Sequence, residues 1–551
     1  MGMKPNQKQK GGGFMKFKSL VSVLLAMCFL LMGFGFAQAS SAEQAEIEAL
    51  KAQVQKLLKR IEELEKKQAQ TEKAVEAKAP TTWKAYWKNG FRIDYKNPEK
   101  NREYRFRFRT GIQLRYTYMD RDNDIKNSNE NYSSFTMRRL RFFVDGTAPN
   151  KFWKYFVHVQ LEPKSKVNVH DAIVQWQKHK EFKVAFGRMK MPAMSMEYWQ
   201  SGFKQNGTDR TIFTDDSEVY WPYDGGPRKP STSEKSFDGV GTPTLKVGGH
   251  LLANGFPVGG MLLYRSQGIM ANGALDLFNK KQFFVYWAGI YNGRDTQGNR
   301  NTRSDDMFYV ARVAINWLPG SDPRGPLGPG TFNNYFMQGD YGYNTTPALA
   351  TILSGFYGKD RWKYVYDPTK FNGSANIMRK VAHDTENYGF DFAVIFRYRG
   401  FSADVEFAWE ELQQDPNGAW EETWDRYGFR VNLGYFLVPR KWEVTAKYAY
   451  LCRLDDNNLE NALSSGLGLV ELDNGKWGVE DYMQEFRVGV NYYWHGFNQY
   501  ITTDIAILYR NLDDVSASEI AKLGLSGITP DNFDDDTETD WRFRIMYQHW
   551  F

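Results

Sequence analysis

The sequence predicts an all-β fold, a 16-stranded antiparallel transmembrane β-barrel, preceded by an N-terminal α-helical coiled coil. Three observations carry this. From Tyr104 to Phe551 apolar and polar residues alternate with a period of two, which gives each strand one greasy and one wet face. The links between these stretches are short and long by turns, as an even-stranded barrel with both ends on one side requires. The only long apolar run lies at the N-terminus. Any membrane crossing beyond it must use strands, because a helix would need about 20 apolar residues in a row.

Residues 1–39 read as a secretory signal peptide. Lys16 and Lys18 precede the apolar run Leu20 to Phe36, and Ala37-Gln38-Ala39 supplies a small-x-small cleavage site. Five lysines leave with that segment. The 71 basic residues fall to 66 against 65 acidic ones, a mature net charge of about +1. Global charge therefore points to no anionic partner, and no nucleic-acid partner is expected. Of the two cysteines Cys28 lies in the signal, so Cys452 is left alone, without a disulfide or thiolate metal cluster. The seven histidines show no metal-ligand spacing. His158 and His170 stand isolated inside strands with no Ser or Asp partner spacing, so neither a cofactor nor an enzymatic role is expected.

Residues 40–79 read as a coiled coil, with heptads from Ile47. Positions a are Ile47, Val54, Ile61, Gln68 and Val75; positions d are Leu50, Leu57, Leu64, Thr71 and Lys78. At ~1.5 Å per residue the rod is roughly 45 Å long. Ile and Val at a with Leu at d favour two strands, whereas Leu58 at e widens the seam and suits three. Pro80 stops the helix, and 80–103 reads as a linker rich in Trp and Tyr.

The barrel is expected over 104–551. On its first strand Phe106, Phe108, Ile112, Leu114, Tyr116 and Tyr118 share the lipid face, and Arg105, Arg107, Arg109, Gln113 and Arg115 the inner one. Similar alternation marks 136–147, 152–162, 168–177, 181–190, 281–292, 306–318, 335–345, 386–399, 401–412, 425–438, 441–454, 481–495, 497–511 and 539–551. Loop parity asks for one further strand in 242–266. Long links at 120–133, 191–241, 346–385, 455–479 and 512–537 read as extracellular loops, and tight ones such as Arg399-Gly400 as periplasmic turns. Trp494, Trp541, Tyr435 and Tyr509 sit where aromatic girdles are expected. In the last strand Trp541, Phe543, Ile545, Tyr547 and Phe551 face lipid and Arg542 and Arg544 face inward. Its aromatic end resembles the closing strand and assembly signal of bacterial outer-membrane proteins, which implies the barrel assembly machinery as a partner through Phe551.

The stretch Phe135-Thr136-Met137-Arg138-Arg139-Leu140-Arg141-Phe142-Phe143-Val144-Asp145-Gly146 is similar to a motif of the phosphate-selective porin O and P family. So are Trp153-Lys154-Tyr155-Phe156-Val157-His158, Phe182-Lys183-Val184-Ala185-Phe186-Gly187-Arg188, Tyr388-Gly389-Phe390, and Phe401-Ser402-Ala403-Asp404-Val405-Glu406. The resemblance spans roughly Tyr104 to Phe551. It implies a 16-stranded homotrimer in the bacterial outer membrane, with the coiled coil in the periplasm. It also implies loops after the fifth and ninth strands that fold inward, and basic side chains along an anion route.

Inward-facing Arg105, Arg107, Arg109, Arg115, Arg139, Arg141, Arg542 and Arg544 form one expected basic wall, since the last strand of a closed barrel pairs with the first. Arginine suits an oxyanion route because its planar fork binds bidentately and stays charged. Asp391, Asp404, Glu406, Glu410 and Glu443 fall inward on later strands, so the lumen reads as basic on one side and acidic on the other. Lys204 and Arg210 in the first long loop, and Lys359, Arg361 and Lys363 in 346–385, are the constriction candidates. The expected function is passive diffusion of small hydrophilic solutes, anion-leaning, with phosphate or similar oxyanions first. The alternatives are a non-selective general porin and an envelope tether that reaches peptidoglycan through the coiled coil. That rod carries eight basic and eight acidic residues.

Overall fold

The computed structural model describes residues 52–57, 59–61, 63–64, 82–97, 102–120, 131–162, 167–214, 260–293, 307–321, 335–366, 378–415, 422–452, 469–471, 477–514, 517–518 and 537–551. No helix among them is long and apolar enough to cross a membrane. The chain divides into two units, Met1–Pro80 and Thr81–Phe551. In the first, the described residues are helical, and the d-position Leu57 and Leu64 are exposed. The remainder of the expected coiled coil and all of the expected signal peptide lie outside the described residues.

The second unit is a barrel with a hairpin on its rim. Strands β1 (Thr82–Trp87) and β2 (Phe91–Asn97) occupy the stretch expected as linker. Then come β3 (Arg102–Asp120), β4 (Tyr132–Thr147), β5 (Trp153–Glu162), β6 (Asn168–Trp176), β7 (Lys183–Lys190) and β8 (Arg265–Leu277). They are followed by β9 (Lys280–Tyr291), β10 (Phe308–Pro319), β11 (Ala348–Tyr366), β12 (Met378–Tyr398), β13 (Phe401–Asp415) and β14 (Glu422–Val438). Last are β15 (Trp442–Cys452), the short β16 (Leu469–Glu471), β17 (Trp477–Tyr493), β18 (Gln499–Asp514) and β19 (Thr537–Trp550). Strands β3 to β15 with β17 to β19 pair antiparallel in succession. The wall closes where β19 pairs with β3, as in Arg544↔Thr117 and Gln548↔Gln113. This is the closed 16-stranded antiparallel barrel that the alternation predicted.

The outer face is apolar and uncovered among the described residues: Leu114, Phe135, Ile269, Leu353, Val488 and Ile505 are all exposed. In water such a surface would drive aggregation; in a bilayer it meets lipid. Trp153, Tyr435, Trp442 and Trp494 ring the short-turn end, and Tyr118, Tyr309 and Trp541 the other. The tight turns use the left-handed backbone that two-residue hairpin links need, with φ of 47° at Arg399 and 86° at Gly400. An arginine placed at lipid-facing Ile505, between Val488 and Phe543, should cost about 2–4 kcal/mol if it sits near the midplane. A urea titration of the refolded barrel in lipid vesicles measures it.

Two strands lie elsewhere than the sequence suggested. The strand sought in 242–266 is β8, beginning at Arg265. That expected at 335–345 is no strand; β11 takes its place. The reason is physical. The inner faces of β8 to β12 are apolar at Ala274, Val285, Ala314, Ala348, Ala350, Ile352, Ala393 and Ile395, all buried. With both faces apolar the period-two signal disappears, so β11 looked like a loop. Met196, Trp199, Tyr335 and Phe336 cover this apolar patch from inside.

Candidate functional site

Two segments enter the lumen from opposite ends. Residues 191–214 follow β7, the fifth barrel strand, from the long-loop end; residues 335–347 follow β10 from the short-turn end. The first holds one helical turn, Met196–Trp199, capped by Ser195, whose Oγ accepts from the Tyr198 N–H at 3.0 Å. The free N–H groups of that turn need acceptors. Met196 N–H donates to Glu406 on β13, and Arg430 Nε holds the same carboxylate at 2.6 Å.

The segment is tied to the wall on both sides. Thr208 donates from N and Oγ1 to Asp504 on β18 at 3.0 and 2.7 Å. Arg487 on β17 donates to the carbonyls of Asp209 and Arg210 at 2.8 and 2.9 Å. Across the lumen the Asp209 carboxylate is shared by Arg115 on β3 at 2.8 Å and by Arg139 on β4 at 2.8 Å, with Arg138 also bonded. Both Arg138 and Arg139 reach it because the β3–β4 register shifts there. Burial would raise the Asp209 carboxyl, but Arg138, Arg139 and Arg115 hold it well below the usual carboxylate range.

The two inserts meet. Gln338 N–H donates to the Lys204 carbonyl at 2.9 Å, and its Nε2 to Glu197 Oε1 at 3.2 Å. Burial pushes the Glu197 carboxyl up, but Arg430, Lys447 and the Thr211 hydrogen bonds bring it down to about 2. Both latch carboxyls thus ionise below their unfolded values near ~4, so their contribution is full above that range and is lost only as pH falls through the depressed values. Between about pH 8 and about pH 5 these latches should hold, and single-channel conductance in planar bilayers should show no step from their release.

The expected basic wall is therefore largely neutralised. Arg115 and Arg139 are taken by Asp209, Arg107 and Arg109 by Asp145 at 2.7 Å each, and Arg542 by Glu485 at 2.6 Å. Arg544 is buried and faces inward on β19. Arg105 lies on the rim, half exposed and paired with Glu103. The expected acidic arc is neutralised as well. Asp404 pairs with Arg397 at 2.5 Å, Glu406 with Arg430, Glu410 with Arg426, and Asp391 with Arg312 at 3.6 Å. Glu443 accepts from Tyr493 at 2.7 Å and Asn491 at 2.9 Å. A buried charge without a partner costs several kcal/mol, so inward carboxylates and guanidiniums this close pair across strands rather than segregate.

A group of cations with few carboxylate partners among the described residues lies on the β4 to β8 side; Lys447 on β15, which donates to Gln338 Oε1 at 3.0 Å, stands apart from it. Arg141 donates only to Gln160 Oε1, at 2.7 Å, and sits over the Phe203 ring at 5.7 Å. Lys190 Nζ is held by the carbonyls of Tyr198, Trp199 and Gln200 at 2.5, 3.3 and 3.3 Å. Arg210 lies over the Tyr198 ring at 5.0 Å and donates to the Glu197 carbonyl at 3.4 Å. Beside them Arg265 is paired with Asp171 at 2.9 Å and donates to Tyr198 Oη at 2.6 Å. Nearer the short-turn end, Lys154 and Lys183 join Arg107 and Arg109, with Asp145 facing Lys154 and Glu181 near Lys183.

Of the constriction candidates, Arg210 belongs to this cluster and Lys204 to the contact between inserts. Lys359, Arg361 and Lys363 do not lie in a loop: all three fall within β11, and Lys359 pairs with Glu386 at 3.3 Å. Sequence reasoning missed Lys154, Lys183, Lys190 and Arg265. The first two were legible as inward positions. Lys190 follows Gly187, whose φ of 119° breaks the alternation of β7, and Arg265 begins the misplaced strand. The histidines read as isolated are in fact adjacent: the His158 and His170 rings are 5.0 Å apart, and His158 Nδ1 is 2.7 Å from Asp171 Oδ2.

Comparison with solved structures finds OmpT of Vibrio cholerae at 12% identity and a TM-score of 0.43, over 81% of this chain and 98% of that one. It also finds an anion-selective porin from Comamonas acidovorans at 10% identity and 0.43, over 81% and 100%. The outer-membrane channel DcaP of Acinetobacter baumannii matches at 9% identity and 0.42, over 81% and 97%. No curated protein matches. The resemblance read from the sequence is met in its first part by a family model: residues 108–220, from within β3 through β7 and the first insert, match that of the phosphate-selective porins O and P.

Proposed function

We propose that the chain is a bacterial outer-membrane channel through which small anions diffuse passively, with phosphate and similar oxyanions as the leading class. The observation that carries this reading is the cluster of Arg141, Lys190, Arg210 and Arg265, in which Asp171 is the single carboxylate paired among the described residues, continued by Lys154 and Lys183 toward the short-turn end. A string of cations in a narrow, low-dielectric space concentrates anions and excludes cations. In this reading the short-turn end is periplasmic, the chain assembles as a homotrimer, and the barrel assembly machinery engages the closing strand β19 and Phe551.

The test is the reversal potential of the purified protein in planar bilayers under a KCl gradient. Selectivity for chloride is expected. A potential of cationic sign contradicts the reading, and one near zero favours the non-selective porin instead. Inhibition of the chloride current by added phosphate then separates an oxyanion route from one that merely favours anions.

A further inference from the structure

We propose that the β1–β2 hairpin is a membrane-interface element whose aromatic face seats in the phospholipid leaflet at the short-turn end of the barrel. The hairpin pairs with the lower part of β3, below the stretch taken by β19, in the register Phe91↔Phe108 and Tyr95↔Tyr104. Residues directly opposed across antiparallel strands share a face. Trp83, Tyr95 and Tyr104 thus make one outward row, with ring centroids 4.6 and 5.5 Å apart, and Trp87, Phe91 and Phe108 another.

That face continues a surface already assigned to lipid. The Phe108 ring lies 5.8 Å from Phe142, and Phe108 and Phe142 share the outward side of β3 and β4. Trp83 and Trp87 are 70% and 63% exposed, too much apolar area to leave in water beside an existing membrane belt. The opposite face is polar, with Lys84, Arg92 and Asp94, and Tyr86 Oη donates to Asp94 at 2.8 Å. Tryptophan and tyrosine rings favour the headgroup level, where an apolar body and a polar edge are both satisfied. The occupant that fits is therefore a phospholipid surface rather than another protein.

Site-directed spin labelling of the full chain in phospholipid vesicles tests this. Trp87→Cys and, on the opposite face, Lys84→Cys are each made in a Cys28→Ser/Cys452→Ser background, and heat-modifiable gel migration confirms the folded barrel. The label at 87 should be relaxed by oxygen and shielded several-fold from a water-soluble nickel chelate, and the label at 84 should show the reverse. Equal nickel access at both positions would place the hairpin in water and overturn the proposal. So would shielding at 87 accompanied by spin–spin broadening between copies, which would make a second chain the occupant. As a check that needs no label, the Trp83→Phe/Trp87→Phe double variant should lose part of the fluorescence quenching by brominated phospholipid; unchanged quenching also counts against it.

Discussion

Asp209→Asn should release the first insert and make the channel both more conductive and more anion-selective. Asp209 is the carboxylate that holds Arg115, Arg138 and Arg139 together across the lumen, and it is 3% exposed. Breaking a buried ion pair by removing one partner costs about 3–5 kcal/mol, because the other charge is left behind. The barrel wall does not depend on this contact, since its own ladder closes between β3 and β19. The cost therefore falls on the docked position of residues 191–214. A loss of that size moves a docked-to-released ratio by roughly two to four orders of magnitude. Once the segment leaves, the three guanidiniums face the water path and draw anions. Single-channel conductance should rise and the reversal potential should move further toward chloride. An unchanged conductance and potential would mean that the Asp209 contact does not hold the insert in place.

Arg141→Gln combined with Lys190→Gln should abolish most phosphate inhibition of the chloride current. Hydrogen bonds to charged groups contribute about 1.5–3 kcal/mol each, so each substitution is expected to weaken phosphate affinity by roughly tenfold or more. Neither residue holds a carboxylate among the described residues, so removing its charge leaves no orphaned partner, unlike Asp209→Asn. The control is Lys359→Gln. Lys359 was a candidate on sequence grounds, but it lies in β11 and pairs with Glu386, so phosphate inhibition should be unchanged there. Equal losses in the double variant and the control would point to diffuse charge rather than to the β4–β8 cluster.

The fold was largely legible because a lipid-facing barrel writes its pleat into the chain. On β3, β13 and β19 the expected faces match burial along most of their length: Arg115, Asp404, Glu406, Arg542 and Arg544 are buried, and Leu114, Val405, Trp541 and Ile545 are exposed. The signal failed where the lumen wall is apolar, at β11, because the inserts cover Ala348, Ala350 and Ile352. The site was less legible for a different reason. Parity gives the direction of a side chain but not its partner. Arg139 and Arg141 are two residues apart on one strand and both point inward. One is bound by Asp209 from a distant segment, and the other donates to Gln160. Pairing depends on how residues 191–214 cross the lumen, and no local pattern encodes that path.

The central claim is that anions travel along the β4–β8 side, past Arg141, Lys190, Arg210 and Arg265. Crystals of the barrel soaked in bromide or selenate, measured at the anomalous edge of the anion, locate that path directly. Anomalous peaks beside those four side chains, with a further one between Lys154 and Lys183, are the predicted result. Peaks confined to the opposite wall, near Arg397, Arg426 and Arg430, or none within the lumen, would contradict it.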